Sequence, residues 1–123
     1  MTTLSQTKLA QYRTTAQARQ RLAEMQVAER LARATVVAQQ AAVLLKERYQ
    51  VAQVAVFGSL VHPALFHAHS DIDLAVWGLA ECNYYRAVGE LQALNPEFGI
   101  DLIRVEEASV LLQQTLAQES VLL

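Results

Sequence analysis

Along the first fifty residues the apolar side chains recur at steps of three and four. Leu9, Tyr12 and Ala16 open the stripe, and Leu22, Met25 and Ala32 continue it with Glu29 interrupting. The stripe is narrow and imperfect. The first glycine is Gly58 and the first proline Pro63, so nothing punctuates residues 4–49, which are rich in Ala, Gln, Arg, Leu and Glu. The pattern predicts one helix of about 40 residues, roughly 60 Å long. A compact domain of this size has a radius of gyration of only about 14 Å. Such a helix must either break, with Thr14–Thr15 the candidate, or project and pair with another chain. We expect projection of at least its first half, and hence an oligomer or a partner-binding arm.

After residue 50 the period shortens. "VAQVAVF" (51–57) is a β-branched apolar run that ends at Gly58–Ser59, a strand meeting a tight turn. Residues 60–70 form an irregular connection with Pro63 and three histidines. A second strand is expected over 71–77, stopped by Gly78. Tyr84, Ala87, Val88, Leu91 and Leu94 stand at helical spacing within 80–94, and Asn95–Pro96 ends that helix. "FGIDLIRV" (98–105) is a third strand. Residues 106–123 open with two acids, as a helix start prefers, and are expected to be helical in part. The order describes an α+β chain. With no repeat and no low-complexity linker, it is expected to form one domain over 1–123: a helical arm, 1–49, followed by a core, 50–123.

Composition narrows the class. Just over half of the 123 residues are apolar and no run approaches the roughly 20 needed to span a membrane. "MTTLSQTKLAQYR" lacks the apolar stretch of a secretory signal, and Cys82 is a lone cysteine, so a reducing cytoplasm is the expected location. The net charge of −2 conceals an asymmetry: residues 1–50 carry eight bases and three acids (+5), residues 51–123 two bases and nine acids (−7). This is either a solvated helix beside an ordinary acidic domain, or an acidic cation-holding centre with a basic arm for a polyanion or an acidic partner. Nucleic acid is not the expected partner, because acids are interspersed in the arm and Tyr12 is its one aromatic before Tyr49.

The acids fall in unusual places. "HSDIDLAVW" (69–77) reads as a buried strand, yet Asp71 and Asp73 lie within it, and aspartate is depleted from strands. Alternation puts both on one face, with Cα atoms roughly 6.6 Å apart, and leaves Ile72, Leu74 and Val76 for the apolar face. The third strand carries Asp101 between Ile100 and Leu102. A right-handed parallel crossover through the intervening helix could set that strand beside the second and bring three carboxylates to one edge. Hard divalent cations such as Mg²⁺ suit such a set of oxygen ligands. Gly58 permits close backbone approach to a ligand, and Ser59 can donate to phosphate oxygens. Trp77 is a candidate for stacking on a base, though a core or rim aromatic is the plainer reading. His62, His67 and His69 are read as loop histidines, not metal ligands.

Strand–Gly–Ser, a short loop, Ser–Asp–Ile–Asp–Leu, a helix, and a strand with apolar–Asp–apolar together resemble the nucleotidyltransferase superfamily that includes DNA polymerase beta, and especially its minimal members. The matching residues are "FGS" (57–59), "SDIDLAV" (70–76) and "IDLI" (100–103), over about residues 51–105. The resemblance implies the nucleotidyltransferase fold, a small mixed sheet flanked by helices, here with a long N-terminal helix. It implies that Gly58 and Ser59 hold nucleotide phosphate and that Asp71 and Asp73 bind two Mg²⁺ ions. It implies that Asp101 completes the metal site and helps deprotonate the attacking hydroxyl. The implied activity moves a nucleoside monophosphate, AMP from ATP above others, onto a hydroxyl. The implied setting is the antitoxin half of a HEPN/MNT toxin–antitoxin pair, with the HEPN-domain protein as partner and acceptor. A second reading keeps the fold but makes the chain a weak or inactive binding module that neutralises or positions a partner. No Lys or Arg lies between Phe57 and Tyr85, so a cation for the triphosphate has to come from Arg104, from the basic helix or from a second subunit.

Overall fold

A computed structural model describes residues 2–123, with side chains from residue 5 onward. Helix α1 (Thr2–Tyr49) is followed by strand β1 (Gln53–Phe57), β2 (Ile72–Trp77), α2 (Tyr84–Gln92), β3 (Ile100–Arg104), α3 (Val110–Glu119) and β4 (Val121–Leu122). Single 3₁₀ turns at Gly58–Leu60, Pro63–Leu65, Glu81–Asn83 and Val105–Glu107 fill the connections.

α1 does not break. Its 48 residues correspond to about 70 Å at 1.5 Å per residue. The Thr14 and Thr15 hydroxyls donate to the carbonyls of Ala10 and Gln11 at 2.9 and 3.0 Å, which absorbs both threonines into the helical ladder. The helix stops at Gln50, whose φ of 53° is left-handed and turns the chain into β1. Residues 5–26 are all exposed, and packing begins at Val27. The first half therefore projects, as its weak apolar stripe predicts.

The sheet order is β3-β2-β1-β4, with β2 and β3 parallel and the other pairs antiparallel. The parallel pair spans the α2 crossover, as expected from the helix between two Asp-bearing strands. One sheet face carries Val54, Val56, Ile72, Leu74, Val76, Ile100 and Leu102. It is covered by Ala34, Val37, Ala38, Ala41, Ala42 and Leu45 of α1 with Ala87 and Leu91 of α2. The run of alanines lets α1 lie close against the strands. On the opposite face Ala75 packs with Val105 and Leu116, flanked by Phe57, Trp77 and Leu112. Trp77 is thus a half-buried packing aromatic there. The free edge of β3 is blunted, because the Tyr84 hydroxyl donates to the Leu102 carbonyl (2.6 Å) and the Gln92 amide to that of Ile100 (2.8 Å).

One boundary differs from expectation, and the C-terminal segment, helical in part as expected, ends in an added strand. The helix expected over 80–94 is α-helical only from Tyr84, with a 3₁₀ turn before it. The C-terminal segment is not helical to its end: Val121 and Leu122 pair with Val56 and Ala55 of β1, and the Leu123 N–H donates to the Val54 carbonyl at 2.9 Å. Among the described residues no helix is long and apolar enough to cross a membrane.

Candidate active site

All five residues singled out from the sequence lie at one end of the sheet. β1 arrives there at Phe57, Gly58 and Ser59, while β2 and β3 begin there. The parallel register sets Asp73 beside Asp101, and the antiparallel register sets it beside Phe57 on its other side. Asp73 is therefore held by ladders on both flanks. Asp101 is held on one, on an edge strand, and is exposed. Asp71 stands one residue before β2 and is exposed. The backbone after it is fixed by the Ile72 N–H, which donates to the Gly99 carbonyl at 2.9 Å.

Two glycines make room for the carboxylates. At Gly58 φ is +71°, and a Cβ built there would lie 2.3 Å from Asp73 Oδ2. At Gly99 a Cβ would lie 2.9 Å from Asp71 Oδ1. Gly58 opens a 3₁₀ turn closed by the Val61 N–H on its carbonyl (3.1 Å), and Ser59 sits within that turn. The Ser59 hydroxyl makes no hydrogen bond among the described residues.

Electrostatics single out Asp73. Burial pushes its carboxyl up to about 6 from an ordinary 3.8, aided by the charge and close approach of Asp101 and, last, by Asp71. A half-buried carboxylate beside two others favours either a proton or a cation. Among the described residues no three such side chains are drawn together tightly enough to enclose an ion, an arrangement that mutual repulsion opposes. The donor set still fits a hard divalent cation, because every candidate ligand is a carboxylate oxygen and Gly58 and Gly99 leave space behind two of them.

The candidate cations for a triphosphate lie elsewhere. Arg104 is three residues beyond Asp101, about 10 Å along the strand. Its guanidinium is committed to the Leu79 carbonyl (2.9 Å) and to Glu107. Arg30 of α1 does reach this end of the sheet, but it donates to the Ser70 carbonyl at 3.1 Å and to Glu97 at 3.4 Å. Neither Arg30 nor Gly99 is marked by the sequence pattern. His62 faces Glu119 at 3.9 Å, and His67 Nδ1 accepts from the His69 N–H at 3.1 Å, so the loop histidines make local contacts. A cleft of about 520 Å³ lies along β3, lined in part by Tyr84, Tyr85, Ile103 and Leu112. The Asp and Gly–Ser residues do not line it.

The family description "Polymerase beta, Nucleotidyltransferase" matches residues 39–123. The chain belongs to the polymerase beta nucleotidyltransferase family. The match takes in the strand–Gly–Ser turn, both Asp-bearing strands and the last part of α1 with Ala41, Ala42 and Leu45. It leaves outside the projecting part together with the packing residues Ala34, Val37 and Ala38. Solved structures share this nucleotidyltransferase fold. A chain of a toxin–antitoxin crystal structure with AMP-PNP is 22% identical at a TM-score of 0.57, over 68% of this chain and 69% of that one. A chain of the MntA-HepT toxin–antitoxin structure is 20% identical at 0.55, over 72% and 69%. A chain from tri-AMPylated Shewanella oneidensis HEPN toxin in complex with MNT antitoxin is 19% identical at 0.55, over 72% and 70%. At these identities the likeness is one of fold. No curated protein matches the chain.

Proposed function

We propose that this chain is a Mg²⁺-dependent nucleotidyltransferase that moves AMP from ATP onto a hydroxyl of a partner protein. We place it as the MntA-type antitoxin of a HEPN pair, acting in the cytoplasm as one nucleotidyltransferase domain. The observation that carries the reading is the pairing of Asp73 with Asp101 across parallel strands, with the Gly58 turn packed against Asp73, inside the segment that matches the family. The AMP-PNP and AMPylated-toxin structures of the same fold support the choice of nucleotide and acceptor. The projecting half of α1 gives such a complex, or a homo-oligomer, a surface to use.

In this reading Asp71, Asp73 and Asp101 hold the cations, and Gly58 and Ser59 receive the phosphates through the turn's backbone and the free hydroxyl. Two bound Mg²⁺ ions would supply charge neutralisation at the attacking and leaving oxygens. The acceptor oxygen forms a bond to the α-phosphorus, the bond to the bridging oxygen breaks, and pyrophosphate leaves. The acceptor proton passes to Asp101, which is exposed on the edge strand and open to an incoming hydroxyl. The test incubates the protein with Mg²⁺, labelled ATP and the product of the adjacent gene, alongside Asp71→Asn/Asp73→Asn. Label transfer lost in the double variant supports the reading.

The binding-module reading draws on the missing cation: no Lys or Arg lies between Phe57 and Tyr85, and Arg104 is tied to Glu107 and Leu79. It predicts no transfer by wild type and undiminished binding and silencing of the partner by the double variant.

A further inference from the structure

Asp71 is the least anchored of the three carboxylates. Asp73 and Asp101 sit inside ladder pairs, whereas Asp71 precedes β2, and its backbone is held only by its neighbours. On one side the Ile72 N–H binds the Gly99 carbonyl. On the other side stands Ser70, the one buried polar residue among the described residues, 6% exposed. Its hydroxyl accepts the His67 N–H at 2.9 Å, and its carbonyl accepts from Arg30 Nη2 at 3.1 Å.

The same guanidinium holds the segment that leads into Asp101. Arg30 donates to Glu97 through Nη1 at 3.4 Å to the carboxylate and through Nη2 at 3.5 Å to the carbonyl, and lies over the Phe98 ring at 4.5 Å from its centroid. Gly99, against which the Asp71 carboxylate rests, follows directly. One planar, forked cation therefore joins the residue before Asp71 to the residues before Asp101, from a helix position outside the family match. The side chain is 14% exposed, and its Nε is buried without a partner among the described residues. A guanidinium placed only for its own pairing would avoid that.

We propose that Arg30 is a positioning residue that sets Asp71 relative to Asp101 and so tunes the site's affinity for divalent cations. Its charge is balanced by Glu97, so it acts through hydrogen bonds and stacking. The inference rests on the reading of these carboxylates as cation ligands. Residues that orient metal ligands are worth about tenfold or more in affinity. Arg33 is the control, since it binds Glu97 at 2.7 and 2.8 Å without reaching Ser70.

The test uses full-length Arg30→Met, Arg30→Lys and Arg33→Ala, with Mn²⁺ as the probe. Mn²⁺ affinity measured by direct titration should fall about tenfold in Arg30→Met and less in Arg30→Lys, which keeps a single donor nitrogen but neither fork nor stacking, and should be unchanged in Arg33→Ala. In the metal-free proteins, hydrogen exchange at the Ile72 amide should accelerate in Arg30→Met and not in Arg33→Ala. Equal effects of Arg30→Met and Arg33→Ala, or unchanged exchange at Ile72, would overturn the proposal. Wild-type protein that binds no Mn²⁺ while Ile72 still responds to Arg30→Met would sink the metal reading and leave Arg30 as an anchor of Asp71 alone.

Discussion

The carboxylate of Asp73 occupies the space where a side chain on Gly58 would stand, 2.3 Å from an ideal Cβ to Oδ2. The Gly58–Ser59 turn and the Asp73 carboxylate are thus one packing unit, although fourteen residues separate Gly58 from Asp73 in the chain. Gly58→Ala is expected to meet this contact and the left-handed φ of +71° together. The backbone conformation alone costs about 1–2 kcal/mol for a residue with a Cβ, and relief of the contact requires Asp73 to move. We predict a loss of about 2 kcal/mol in urea denaturation and loss of nucleotidyl transfer. Transfer within about twofold of wild type would show that this contact does not set the position of Asp73.

The raised Asp73 carboxyl predicts an unusual pH response. Its folded value of about 6 exceeds the ordinary 3.8, so between those values the folded state keeps a proton that the unfolded chain has released. In metal-free protein this group therefore causes stability to fall as pH rises from about 4 to 6, with the full penalty above that window. The group is only partly buried, and solvent screening reduces the effect to about 1 kcal/mol. Asp73→Asn should remove the slope and stabilise metal-free protein at pH 7, as measured by urea titration in EDTA at pH 4.5, 5.5 and 7. Added Mg²⁺ should bind more tightly as pH rises through about 6. An unchanged slope in Asp73→Asn would assign the pH response to another group.

Glu97 works with the opposite sign. The Arg33 guanidinium hydrogen bonds to it and holds its carboxyl below the ordinary range, with Arg30 adding to the effect. Its contribution is present above the unfolded carboxylate value and is lost as pH falls toward the folded one. Glu97→Gln should lower stability at neutral pH and flatten the acid limb of the profile, while leaving the slope above pH 6 unchanged. A thermal-melt series from pH 2.5 to 7 separates the two carboxylates, because their slopes run in opposite directions.

The strands that build the site were legible because their signal is local. Alternation around Asp73 and Asp101 marks the apolar face, and a helix between two such strands favours parallel pairing, which yields the observed register. The Gly58–Ser59 turn was legible for the same reason. Arg30 was not, since its contacts reach 40 and 67 residues along the chain and leave no periodic trace. Gly99 looked like an ordinary residue of β3, and its importance appears only when β2 is laid beside it. β4 was hidden because Val121 and Leu122 are apolar and follow a helix. Only pairing with β1 distinguishes them from its last turn.

Helix α1 offers the sharpest contrast within one element. Leu45 is fully buried against the sheet, whereas Leu22, on the projecting half, is 56% exposed. Propensity treats the two leucines alike, so any difference between their alanine variants reports packing. Leu45→Ala should cost about 3 kcal/mol through lost burial and the cavity left behind. Leu22→Ala should lie within about 0.5 kcal/mol of wild type in the isolated protein, as surface changes do. Adding a partner that binds the arm changes the second expectation alone. Leu22→Ala would then weaken complex formation without altering the melting of the free chain, while a stability loss at Leu22 comparable to that at Leu45 would mean that the arm folds back and is covered.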